Sequence, residues 1–403
     1  MTLSREDRSL LTDWWFTIDR MQFYAICALM LAGLVISLAA SPSVAINKGL
    51  PAFYFVQRHV IFAVLGLVLI FAISLQSPNA IRRIALFLFG LSLIGLVAVL
   101  FWGSEENGAQ RWIFILGISV QPSEIAKPAF AVLAGWAFAE SQKRKDMPAW
   151  PLAISLYVIL AGFLVMQPDM GQTVLITTVW GTLFLLAGLP LIWFASFVGV
   201  GLAGAFVAYW NLPYVQSRIN QYFAPVIDEN SQIGQAYKSF GDGGFLGRGP
   251  GEGTIKTTLP DAHTDFIFAV TAEEYGVLTC LILLVLFAFI VYRALGRAVI
   301  EDDAGIRYGI SGLALLFGYQ ALINMGVNVG LLPAKGMTLP LISAGGSSMI
   351  GISITLGMLL ALMRRRPRLS GARRRVMSPD GRPQVNSVYT SNSSNSLKSS
   401  QYE

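Results

Sequence analysis

Apolar residues run along this 403-residue chain in long unbroken blocks. Ten blocks stand out, at about 21–41, 59–75, 81–102, 122–140, 150–166, 171–188, 190–210, 264–293, 307–330 and 340–363. Most approach the length a helix needs to cross a bilayer, about 20 residues at 1.5 Å each. They lack the period-two alternation of barrel strands. The pattern predicts an all-α polytopic membrane protein with about ten transmembrane helices. Only Gly188-Leu189-Pro190 parts blocks six and seven, which predicts a tight hairpin. The gap at 211–263 is far longer than the others and predicts one large loop.

Composition sharpens this picture. Hydrophobic residues make up 54% of the chain and charged ones 13%, where a soluble protein has about 25% charged. Mean hydropathy is +0.60. A soluble globule, a wholly disordered chain, collagen and a small disulfide scaffold are all excluded. Cys27 and Cys280 lie inside apolar blocks and read as core residues, with no disulfide or zinc framework.

Charge sets orientation. Arg5, Arg8, Arg20, Arg82, Arg83, Lys143, Arg144, Lys145, Arg293, Arg297 and Arg307 share a side with the basic tail that starts at Arg364. The other side holds Lys48, Arg58, Arg111, Lys127, Arg218, Lys238, Arg248, Lys256 and Lys335. The positive-inside rule then predicts both termini in the cytoplasm (N-in/C-in), with 211–263 outside. The net charge of +6 is a topology signal, and no nucleic-acid partner is expected. The first block is too long for a signal-peptide core and reads as an uncleaved anchor. Three regions are expected: a cytoplasmic segment 1–20, a membrane domain 21–363, and a tail 364–403. The tail carries an Arg-rich collar suited to the membrane surface, then a Ser/Asn-rich stretch too polar to fold alone.

Outer polar segments hold the candidate chemistry. Asp265 lies in Leu259-Pro260-Asp261-Ala262-His263-Thr264-Asp265-Phe266, where the long loop enters the eighth block. A partly desolvated carboxylate there suits a general base, and an acid at a helix start equally suits a cap. Glu273 and Glu274 lie deeper and cannot both share its face. The glycine-rich run 240–253 is either a flexible loop or a set of amides able to nest an anion. Gln121-Pro122-Ser123-Glu124 and Gln167-Pro168-Asp169 both read as helix starts, with Pro at the first position and an early acid. Glu124 and Lys127 are spaced to pair on one helix face. Arg111 beside Trp112 suits phosphate and sugar, or an interfacial belt. The small polar run 343–348 allows close packing or lines a cavity.

Five segments, taken together and in order, resemble the SEDS family of bacterial membrane proteins (shape, elongation, division, sporulation). They are NGAQRWI (107–113), QPSEIAKP (121–128), QPDMGQ (167–172), LPDAHTDFIFAVTAEE (259–274) and PAKGMTLPLISAGGSS (333–348). Lys335 and Thr338 look like the division, FtsW-type, branch. Ala344 departs from the family, which most often has Tyr there. The resemblance implies ten spans and a peptidoglycan glycosyltransferase that polymerises lipid II into a nascent glycan strand. It implies work at the division septum of the bacterial cytoplasmic (inner) membrane. It also implies partners: a class B penicillin-binding protein, the FtsI-type transpeptidase, and other divisome proteins. Asp265 matches the family's catalytic candidate.

Arg111, Trp112, Glu124, Lys127, Asp169, Arg218, His263, Thr264, Lys335 and Ser343 are expected around the substrate. Arg111, Lys127, Arg218, Arg248 and Lys256 are the outer cations expected to meet its pyrophosphate. No metal-ligand spacing is present, and a divalent cation, magnesium or manganese, is a candidate cofactor only through the pyrophosphate. The rival expectations are a lipid II flippase, since charges and Pro-broken helices also mark transporters, and a non-catalytic divisome scaffold for the transpeptidase.

Overall fold

The computed structural model describes residues 10–106, 109–115, 118–143, 149–211, 213–222, 231–259, 261–333 and 336–365. A helix lies at each of the ten apolar blocks. In chain order the elements are α1 (Leu10–Thr17), α2 (Arg20–Asn47), α3 (Tyr54–Ser74) and α4 (Pro78–Trp102). Three short strands follow, β1 (Ser104–Glu106), β2 (Ala109–Ile115) and β3 (Ile118–Val120). Then come α5 (Pro122–Lys143), α6 (Trp150–Met166), α7 (Met170–Leu186), α8 (Leu191–Asn211), α9 (Pro213–Tyr222) and α10 (Gln232–Gly243). A single 3₁₀ turn, Ile255–Thr257, precedes α11 (Ile267–Val299), α12 (Ala304–Asn328) and α13 (Gly346–Met363).

Six helices among the described residues are long and apolar enough to cross a membrane: α2, α3, α4, α11, α12 and α13. The chain is a multi-pass, mostly helical membrane protein. Of the others, α6 and α7 are apolar but shorter, and α5 carries Glu124 and Lys127.

The purely helical expectation needs one correction. Strands β1, β2 and β3 form an antiparallel sheet in that order, with Glu106 opposite Ala109 and Ile115 opposite Ile118. Asn107-Gly108, the two residues between paired positions, is a strong hairpin signal in sequence. The long loop also carries α9, α10 and the 3₁₀ turn.

Helix ends follow capping rules. Ser77 accepts from the Ala80 amide with Pro78 at the first position. Asp303 accepts from Gly305 and Ile306 at the start of α12. Pro122 opens α5 as expected. Pro168 stands outside α7, whose cap is Asp169.

The core is built on α5, α12 and α13. Small residues let these helices approach: a side chain on Gly135 would strike the Tyr308 backbone, and one on Gly351 the Glu124 carbonyl. Helices α3, α4 and α6 surround them and expose apolar faces. At the end opposite the candidate site, Arg364 donates to the carbonyls of Ser74 (3.3 Å) and Leu75 (2.9 Å) and to Thr17 Oγ1 (3.0 Å). The tail beyond Arg365 lies outside the described residues. Both cysteines are free, and Cys280 is buried.

Helix α11 is broken at Gly276, where φ is +80° and ψ 169°. A Cβ there would also meet the Phe245 carbonyl. Gly276→Ala is therefore expected to destabilise the protein by about 1–3 kcal/mol. Gly90 lies mid-helix with open space around it, and Gly90→Ala should stabilise by about 0.5–1 kcal/mol. Thermal unfolding in one detergent compares the two, and equal melting temperatures would refute the strain at Gly276.

Candidate functional site

A tight turn at 261–266 presents Asp265. Asp261 holds φ at +55°, a left-handed conformation that Asp tolerates better than most residues. Its carbonyl accepts from the amides of Thr264 (3.0 Å) and Asp265 (3.1 Å). Two side-chain amides of α12 then grip the Asp265 main-chain oxygen, Asn324 Nδ2 at 2.8 Å and Asn328 Nδ2 at 2.9 Å. Asn324 also donates to Met337 O (2.6 Å), and Asn328 Oδ1 accepts from the Ala269 amide (3.0 Å). From the other side, Ser343 Oγ donates to Thr264 O (2.6 Å) and accepts from Leu339 N (2.7 Å). The Ala344 amide donates to His263 O (3.0 Å). That contact uses backbone, so the departure at Ala344 leaves it intact.

The Asp265 carboxylate, by contrast, makes no hydrogen bond among the described residues. It caps nothing, because Phe266 stands at the α11 start without a side-chain cap. Burial pushes its pKa up to about 7, and the charges of Asp261 and Asp169 add to this against the pull of Arg111. His263 is buried with its ring 4.4 Å from that of Phe55. Burial, with Lys48 nearby, lowers its pKa to about 4, so it is neutral at pH 7.

Arg111 stands beside Asp265. A Cβ built on Gly336 would lie 3.6 Å from Asp265 Oδ2 and 3.7 Å from Arg111 Nη1, so the two groups flank one point. Arg111 donates to Pro168 O (2.8 Å) and pairs with Asp169 across 3.8 Å. Asp169 accepts from Gln121 Nε2 (3.3 Å), and its buried carboxyl is shifted upward by desolvation against the pull of Arg111. A buried chain continues inward from there. Gln172 Nε2 and Lys127 Nζ both donate to Glu124 Oε1, at 2.9 and 2.8 Å. Lys127 also donates to Gln320 Oε1 (3.0 Å), and Gln320 Nε2 to Thr338 O (3.2 Å).

A family model described as cell cycle protein, covering FtsW, RodA and SpoVE, matches residues 19–367. The chain belongs to this FtsW/RodA family. One relative is the probable peptidoglycan glycosyltransferase FtsW of Caulobacter vibrioides, 43% identical over 92% of this chain and 95% of that protein. The protein of the same name from Aliivibrio salmonicida is 34% identical over 88% and 92%. Among solved structures, a chain of a peptidoglycan synthase complex that coordinates polymerization and crosslinking matches with TM-score 0.70. It is 28% identical, over 86% of this chain and 97% of that one. The rod shape determining protein RodA of Thermus thermophilus matches with TM-score 0.63, 27% identical over 87% and 97%.

In this FtsW/RodA-family chain the expected residues divide into groups. Arg111, Asp169, Asp265, Thr264, His263 and Ser343 converge on one place, with Glu124 and Lys127 behind them. Trp112 is half-buried on β2, opposite Ser104. Arg248 and Lys256 are engaged elsewhere. Arg248 pairs with Asp242 (3.1 Å) and Glu273 (3.7 Å), and Lys256 with Glu274 (2.5 Å).

The end of the glycine-rich run and the two residues after it do present amides to anions, but the anions are the chain's own. Thr254 N and Ile255 N donate to Glu273 (2.7 and 3.2 Å), and Gly251 N to Glu274 (3.3 Å). Arg218 lies on α9 with its side chain outside the described residues, as is Lys335. Among the described residues no three His, Cys, Asp or Glu side chains gather as a metal would require.

Sequence reasoning missed Asp261, Gln121, Gln172, Gln320, Asn324 and Asn328. The last three had a legible signal. They are spaced four apart on an apolar helix, so they share one face, and all three are buried.

Two outcomes follow. Lys127→Met alone leaves a buried Glu124 charge and is expected to cost about 3–5 kcal/mol, while Glu124→Gln with Lys127→Met should cost much less. A double-mutant cycle of melting temperatures reads the coupling, and additive losses would refute it. Asp265 is the opposite case. Its folded pKa lies above the unfolded value of about 3.9, so its stability contribution is lost as pH rises from about 4 to 7. Asp265→Asn should therefore raise the melting temperature, more at pH 8 than at pH 5.

Proposed function

We propose that this chain is an inverting peptidoglycan glycosyltransferase that polymerises lipid II at the outer face of the cytoplasmic membrane. The reading rests on one observation above all: Asp265 has a rigidly held backbone, a carboxylate with no hydrogen bond among the described residues, and a pKa near 7 beside Arg111. That is a general base poised at the operating pH. The 4-hydroxyl of one lipid II attacks C1 of the donor sugar, Asp265 takes the hydroxyl proton, and undecaprenyl pyrophosphate departs. Attack opposite the leaving group inverts the anomeric centre. Among the described residues Arg111 is the cation best placed for the developing negative charge. Arg248 and Lys256, already neutralised by carboxylates, have less to offer it.

Further parts of the reading go with this activity. The four remaining apolar-block helices, α5 to α8, complete ten spans with both termini in the cytoplasm. The protein works at the division septum with a class B penicillin-binding protein, of the FtsI type, and other divisome proteins. Similarity to a chain of a synthase complex that couples polymerization with crosslinking supports a transpeptidase partner. A divalent cation would enter with the pyrophosphate, and no step above depends on it.

Lipid II supplied in detergent to the purified protein, with its transpeptidase, tests the activity. Detergent abolishes sidedness, so a flippase or a scaffold yields no glycan there. Asp265→Asn is expected to lower polymerisation by roughly 100-fold or more while the protein stays folded. Full activity of that variant would remove Asp265 from the role. The base must be ionised to act, so the wild-type rate should rise with pH through about 7 and then level off. A rate that falls over pH 6–8 would contradict the assignment.

A further inference from the structure

The loop after α10 is hydrogen-bonded to α11 well below the start of that helix. The amides of Arg248 and Gly249 donate to the carbonyls of Glu273 (2.9 Å) and Glu274 (3.0 Å). In return, Val277 N and Leu278 N donate to Gly244 O (3.0 Å) and Phe245 O (3.3 Å). These bonds straddle the break at Gly276 and occupy backbone groups that the break frees. Leu278 lies about 15 Å along the axis from the helix start.

Burial along α11 changes at the same level. Every residue from Ile267 to Glu274 is buried in protein. Outward-facing apolar residues begin at Leu278 (51% exposed) and continue through Ile282 and Val285 (58% and 67%). Positions i, i+4 and i+7 form one face of a helix apolar enough to span a membrane. At the upper edge of that stripe Phe245 and Leu246 are 82% and 78% exposed. Two adjacent large apolar side chains thus extend the lipid-facing surface of α11.

We propose that 244–249 is a re-entrant element whose tip, Phe245 and Leu246, seats among acyl chains at the outer edge of the hydrocarbon. The bilayer boundary then lies level with Gly276–Leu278. The first turns of α11 stand outside it, enclosed by protein, and Asp265 sits roughly 15 Å above it, at headgroup and sugar height. This replaces the expectation that the eighth span begins near residue 264. It concerns depth alone and does not depend on the reaction.

Site-directed spin labelling of the full chain in phosphatidylcholine/phosphatidylglycerol liposomes tests it. Phe245→Cys and Leu246→Cys are labelled in a Cys27→Ser background; Cys280, being buried, is left in place. Ile282→Cys serves as the lipid reference and the exposed Glu252→Cys as the aqueous one. Each variant's melting temperature is checked first. If either tip cysteine unfolds the protein, the other alone decides. The ratio of accessibility to oxygen over a nickel chelate should be several-fold higher at 245 and 246 than at 252, and close to that at 282. A ratio matching 252 would place the tip in water and overturn the proposal. Low accessibility to both reagents would mean that another protein surface covers it, which also overturns it.

Discussion

Two side-chain amides, those of Asn324 and Asn328, meet on the main-chain oxygen of Asp265, and the candidate site is arranged around that junction. In an apolar interior a backbone carbonyl must find a donor within the protein. Helix α12 supplies the donors and thereby ties its own position to that of the 261–266 turn. Asn324 carries the tie on to Met337, and Ser343 closes it from the far side. With the backbone held from both sides, the carboxylate itself makes no hydrogen bond among the described residues. This is how a stable frame can carry an acid whose ionisation the surroundings resist.

The same requirement explains the buried ion pair. Lys127 and Glu124 are almost fully enclosed, where an unpaired charge would be very costly. They meet each other and then Gln172 and Gln320, and Gln320 reaches the irregular segment at Thr338 that flanks the site. The polar chain running inward from Arg111 and Asp169 therefore supports the loop on which the proposed chemistry depends. The proposed base lies on a turn and its neighbouring cation on a strand, and the buried polar chain between the helices braces both.

On α11 the carboxylates serve a structural end. Glu273 and Glu274 collect the amides of Gly251, Thr254 and Ile255 and two cations, which locks the end of the glycine-rich run against a broken helix. An anion nest was a fair expectation from seven glycines in a short stretch. Its occupant turned out to be internal. Two of the five cations expected to meet pyrophosphate, Arg248 and Lys256, are held there too, and among the described residues Arg111 is the cation beside Asp265.

Much of this protein was legible in its sequence. The ten apolar blocks each became a helix, because block length and composition are local properties. The Glu124–Lys127 pair followed from helical spacing, and the family followed from five motifs in order. The small sheet at 104–120 escaped notice because its strands are very short and the apolar blocks around them dominate the pattern.

What only the tertiary structure decided is which polar residues meet. Arg111, Asp169 and Asp265 come from three separate connections, and the amides that fix Asp265 come from a fourth segment. Their convergence is set by how helices pack, through small residues such as Gly135 and Gly351 whose contacts lie far away in sequence. Charge and spacing can nominate a side chain for chemistry. Whether its charge is free or already neutralised depends on partners that only the packed chain brings together.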